Sequence, residues 1–153
     1  MSATPTISDF VAAIKTQLEA IPDIGFVHDR PRFTVNQKTY ADLFIKPGID
    51  QIRAWIIDVP TSDGEEDPAG FLFLTRRGFA ITGYHNIDDE NNSTEQLRDL
   101  VDLVQSKIHA YLDGLDPLRT DVTCRVTMGF DKLGDIPVHF ARVEFQAESE
   151  ETL

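Results

Sequence analysis

Three observations in the sequence predict an α+β fold, an antiparallel-rich sheet with two helices packed on one face. From Leu97 onward the apolar residues Leu97, Leu100, Val101, Val104, Ile108 and Tyr111 recur at the spacing of one buried helical stripe. A shorter stripe, Phe10, Ile14 and Leu18, stands near the N-terminus. Between and after these stripes lie runs with the two-residue period of half-buried strands. The resulting order is helix, strands, helix, strands.

Each element follows from its residues. Met1–Pro5 reads as a frayed start. The first helix is expected over Ser8–Ala20, with Val11 and Ile21 widening its stripe, Thr6 or Ser8 as its cap and Pro22 ending it. Ile24–Val27 reads as a short edge strand, and His28–Arg32 as a charged linker. Phe33–Val35 is expected to pair briefly. Tyr40, Leu43 and Phe44 have the spacing of one or two helical turns, and Lys46-Pro47-Gly48 reads as a turn. Ile49–Val59 is expected to be a strand with both sides largely apolar, and so central. Thr61–Gly70 reads as a solvated acidic loop.

Phe71–Thr75 and Phe79–Tyr84 are either two strands turning at Gly78 or one long strand with a bulge there. His85–Asn92 is a polar connector. The second helix is then predicted to start at Ser93, with Gln96 completing a capping box, and to end at Gly114 in a left-handed conformation before Pro117. Asp121–Phe130 and Val138–Gln146 alternate cleanly, which predicts an antiparallel hairpin joined by a long loop over Asp131–Pro137. Residues 1–147 are thus read as one α+β domain and 148–153 as a disordered acidic tail.

Composition narrows the function. The chain has 153 residues, 26 acidic against 14 basic, for a formal charge of −12. Such a balance argues against a grip on nucleic acid or anionic lipid, which needs clustered cations. The single cysteine, Cys124, excludes an internal disulfide and the multi-cysteine zinc patterns. No basic n-region precedes an apolar run, and no apolar stretch approaches the roughly 20 residues of a membrane span. Folding in a cytoplasm is expected.

No motif for chemistry stands out. His85 with Asp88, Asp89 and Glu90 offers carboxylates, but without EF-hand spacing, and those acids also suit the start of a helix. His28-Asp29 could be a base and its orienter, but adjacent residues on an extended chain point to opposite sides, which favours a non-catalytic reading. His109 and His139 have no evident partner in the sequence, and phosphate loops and nucleophile signatures are absent. The expectation is therefore no catalytic residue, no cofactor and no metal. Arg76-Arg77 is a basic pair in an acidic chain, suited either to a solvated turn or to an acidic partner.

The layout resembles the tail-terminator and tail-completion (head-tail joining) proteins of tailed bacteriophages. The resemblance rests on the short N-terminal helix, Ile24-Gly25-Phe26-Val27, and the Trp-bearing run Arg53-Ala54-Trp55-Ile56-Ile57 followed by an acidic loop. It continues through Phe79-Ala80-Ile81-Thr82-Gly83-Tyr84, the Asp88-Asp89 connector, the helix with Leu97, Leu100, Val101 and Val104, and the closing hairpin. It spans Phe10 to Phe145. It implies a structural protein of the virion, assembled in the host cytoplasm. Such a protein forms a homo-oligomeric ring, commonly a hexamer, at the head-proximal end of the tail. Its partners would be tail-tube and neck proteins, and DNA would pass through without specific binding. No catalytic residue is implied.

For such a ring, the expected interface residues are Trp55 as an anchor, with Glu65, Glu66 and Asp67 of one protomer facing Arg76 and Arg77 of the next. The alternative is an acidic protein-interaction module, inhibitor-like or antitoxin-like, that engages a basic surface.

Overall fold

The structure is a computed structural model that describes residues 6–32, 41–45, 51–66, 68–114 and 122–152. Its elements run α1 (Ile7–Glu19), β1 (Phe26–His28), β2 (Arg53–Glu66), β3 (Leu72–Asn86), α2 (Ser93–Asp113), β4 (Val122–Leu133) and β5 (Ile136–Thr152). Short 3-10 turns lie at Ala41–Phe44 and Asp89–Asn91. The strands form one five-stranded sheet in the order β1-β2-β3-β5-β4. Only β1, at an edge, is parallel to its neighbour. Both helices contact sheet strands, and the fold is α+β.

The predicted helical stripes are the buried ones. Phe10, Ile14 and Leu18 of α1 and Leu97, Val101, Val104 and Ile108 of α2 share one core with Trp55, Ile57, Phe79, Ile81, Val143 and Phe145 from the sheet. Phe79 stacks on Phe145 at 5.2 Å, and Phe10 meets Phe79 edge-on at 5.1 Å. Trp55 lies flat over Gly83, where a Cβ would come within 2.7 Å of the indole. Glycine is needed there to make room. The other face of the sheet carries a smaller apolar cluster at one end, including Phe44, Ala54 and Val138. His28 anchors the Ala41–Phe44 turn to β1 through Nε2, 2.7 Å from the Leu43 carbonyl oxygen.

Several expectations change. Thr61–Glu66 is not a loop but the second half of β2, paired with β3 from Phe73 to Gly78. The run across Gly78 is one continuous strand, and the irregularity sits opposite, in β2 between Asp58 and Thr61, where Pro60 cannot donate to the ladder. The segment 148–152 is not a disordered tail. It continues β5 and pairs with Leu72–Arg76. The β4–β5 connection is a tight two-residue turn at Gly134-Asp135, not a long loop, and Gly134 has the positive φ (63°) that such turns need. Gly114 is right-handed (φ −77°), so it ends α2 without using glycine's left-handed freedom.

The cap of α2 shifts by one residue. Asn92, left-handed at φ 52°, accepts from the Glu95 N–H, and its Nδ2 donates to Glu95 Oε2 at 2.8 Å. This is a reciprocal box one residue upstream of the Ser93/Gln96 pair. Thr6 caps α1, as its type suggests. The expected start Met1–Pro5, the pairing of Phe33–Val35, and Tyr40, the Lys46–Gly48 turn, Asp67 and Pro117 lie outside the described residues.

Two variants test this packing. Val104→Asp places an unpaired charge at a fully buried site and is expected to destabilise by about 3–5 kcal/mol. A denaturant midpoint equal to that of the wild type would remove Val104 from the core. Asn92→Ala is expected to cost about 1 kcal/mol through the lost cap, and an unchanged stability would return that role to Ser93.

Candidate functional site

The sheet is longer than its helical cover. On β3 full burial begins at Phe79, and residues 72–78 are only half-buried. This leaves a three-stranded arm made of β2 from Thr61, β3 to Gly78 and β5 from Gln146. Local contacts tie its strands together. Arg76 in the middle strand donates to Glu148 on one side at 2.6 Å and pairs with Glu65 on the other at 3.1 Å. That bond to Glu148 raises the basicity of an already strong base. Arg77 Nε reaches Ser62 Oγ at 3.4 Å. The Phe73 ring lies over Gly64, and the Gly78 N–H donates to Thr61 Oγ1.

At the arm's tip Gly70 turns the chain with φ +77°, and Phe71 beyond it is 70% exposed. Leu72, Phe73 and Leu74 follow, each half-buried. Four consecutive apolar residues therefore stand outside the core that the two described helices cover. The strands flanking β3 in the arm carry Asp63, Glu65, Glu66, Glu148, Glu150 and Glu151, against Arg76 and Arg77 in the middle strand.

A second apolar surface lies at the opposite end of the sheet. β4 is an edge strand without a proline, paired in unbroken register with β5 from Val122 to Leu133. Its helix-side row includes Met128, 40% exposed, and Phe130, 72% exposed. With Thr94, Leu97, Arg98, Gly129 and His139 they line a cleft of about 260 Å³ between β4 and the start of α2.

Beneath that end lies a polar joint. Ser93 is buried. Its hydroxyl accepts the Asp88 N–H at 2.9 Å and bonds His139 Nε2 at 2.8 Å. His85 Nε2 donates to Gln96 Oε1 at 3.2 Å, and Gln96 Nε2 donates to the Asn91 carbonyl at 2.9 Å. Arg53 reaches the same Gln96 oxygen at 3.5 Å. Burial, with Arg53 as the next cause, pushes His85 down to about 4, and burial also lowers His139 and His28. A neutral imidazole at His85 serves as a donor to Gln96, so the joint ties β3 and β5 to the first turn of α2.

The predicted interface residues separate. Trp55 is 1% exposed and belongs to the core; its large apolar surface is spent on α1, α2 and Gly83. Glu65 and Arg76 do meet, but within one protomer. Glu66 is exposed on the arm. Asp88 accepts from the Asn91 backbone and side-chain N–H groups. Among the described residues no three metal-ligating side chains converge, and no helix is long and apolar enough to cross a membrane. The sequence reading missed Phe71, Met128 and Phe130. Phe71 carried a signal, an aromatic directly after a Pro-Ala-Gly turn; the other two carried none, because periodicity does not mark a strand as an edge. No protein-family model matches the chain, and no curated protein matches it.

The buried histidine predicts a pH dependence. In the unfolded chain His85 takes up its proton near the ordinary 6.5, whereas in the fold it does so only near 4. Its contribution is complete above about pH 6.5 and declines as pH falls towards 4, since the unfolded state binds more protons there. The thermal midpoint should drop between about pH 7 and 5, less steeply in His85→Gln. Parallel wild-type and variant curves would show that His85 titrates freely.

Proposed function

We propose that this protein is a structural subunit of a tailed-phage tail, a terminator or neck component that assembles as a homo-oligomeric ring at the head-proximal end. The observation that carries this reading is the arm. A chain that extends three strands past its own core, with four apolar residues at the tip, has surface made for a contact outside the protomer. The resemblance of the sequence from Phe10 to Phe145 supplies the kind of assembly. Charge supports the reading too. At −12 the chain suits a ring through which DNA passes without being held. Tail-tube and neck proteins are the proposed partners, and structural assembly without catalysis, cofactor or metal is the proposed role.

A second reading has its own support. The acidic flanking strands of the arm would also suit an interaction module that engages a basic protein. Light scattering after size-exclusion distinguishes the two. A subunit of a ring gives a mass of several protomers at micromolar concentration, and an interaction module gives a monomer or dimer. A monomer that persists at high concentration would overturn the ring reading.

A further inference from the structure

We propose that the arm tip of one copy of this chain docks into the β4–α2 cleft of a neighbouring copy, with Phe71 as the inserted side chain. The proposal rests on the reading of the chain as a self-assembling subunit and names the surfaces that meet.

Four observations carry it. First, among the described residues the most exposed large apolar side chains are Phe130 (72%) and Phe71 (70%), and Phe71 leads a run of four apolar residues. Second, they stand at opposite ends of the same sheet. Strand β3 begins beside the tip at Leu72 and ends at Asn86, level with Val138 and Asp131, next to Phe130. At about 3.3 Å per residue the two ends lie roughly 45 Å apart. One copy therefore cannot satisfy both, whereas two different patches on successive copies can meet head to tail, and such contacts repeat until a ring closes.

Third, the receiving cleft suits a side chain. Its volume, about 260 Å³, lies below the roughly 300–1,000 Å³ of small-molecule sites. Its walls include Leu97, Met128, Phe130 and the His139 ring, and an aromatic ring packs well against such a set. Fourth, the charges match. Among the described residues Arg98 is the one charged side chain in the lining of the cleft, whereas Glu66, paired opposite Phe73, is exposed beside the tip. Phe71 supplies apolar burial, and Arg98 meeting the acidic flank fixes orientation, the usual division between an interface's core and its rim.

The test uses the full chain in four forms: wild type, Phe71→Ser, Phe130→Ser and Arg98→Glu. All three substituted side chains are exposed, so circular dichroism should show the wild-type fold. Light scattering should give a multi-protomer mass for the wild type and a single-protomer mass for Phe71→Ser and Phe130→Ser. A head-to-tail contact makes one further demand. In an equimolar mixture the tip variant keeps a good cleft and the cleft variant keeps a good tip, so the mixture should form a 1:1 dimer and stop. Arg98→Glu should assemble at least tenfold more weakly, and it serves as the cleft variant if Phe130→Ser loses its fold. Variants that assemble like the wild type would overturn this contact and leave the ring reading standing. A mixture that stays monomeric would overturn the pairing of tip with cleft. A wild type that stays monomeric at high concentration would overturn the ring reading, and this contact with it.

Discussion

The sheet and the helices differ in length, and much of the molecule follows from that mismatch. The 21 residues of α2 span about 32 Å and the 13 of α1 about 20 Å. The 15 residues of β3 span about 50 Å. Two helices lying on one face cannot cover a strand of that length. The chain places the covered part at the His85 end, where Ile81 and Phe79 meet Phe10 and the α2 stripe, and leaves the Leu72 end bare. The bare part keeps its backbone bonds because β2 and β5 flank β3 along its whole length. An isolated hairpin would be marginal in water; a third strand makes the arm sustainable.

The opposite end is governed by the joint under α2. Helix position is set there by the cap at Asn92, the buried Ser93 hydroxyl and Gln96, which between them engage β3 through His85 and β5 through His139. Burial disfavours the charged form of both imidazoles, so the joint holds them neutral. The same joint forms the back wall of the cleft through His139. Packing of the helix and shape of the cleft are therefore one problem, solved by the same side chains.

The helical stripes were legible from sequence because burial on one face imposes a 3.6-residue period over many residues, as in Leu97 to Ile108. Strand ends were not. Thr61–Glu66 and 148–152 carry the polar, acidic composition of loops, and what makes them strands is pairing with the first half of β3, Leu72–Gly78, which is distant from 148–152 in sequence. Composition reports burial, and Thr61–Glu66 form a strand without being buried. The cap was misread by one residue because Asn92-x-x-Glu95 and Ser93-x-x-Gln96 satisfy the same pattern in adjacent phases. Only the polar joint decides between them, since His139 claims the serine. The candidate surface was least legible. Trp55 has the residue type of an anchor, yet Gly83, 28 residues later, lets it lie flat in the core.

The arm's charge arrangement bears on what it can do. Arg76 sits between Glu65 and Glu148 on strands to either side, so one cation links all three strands. Arg76 is partly solvated, and exposed pairs of this kind add little to stability. Their effect is geometric, since a guanidinium held by carboxylates on both sides resists splaying of the ribbon. With Arg76 engaged internally, the flanking strands still carry more acidic than basic residues. Acidic strands discourage unspecific edge-to-edge pairing between arms, because two such edges repel. The apolar residues at Phe71–Leu74 are thereby left as the arm's main attractive surface, and the acidic flanks restrict which surfaces can approach it. A stiff ribbon with one sticky end and repulsive sides favours a single kind of contact over general aggregation.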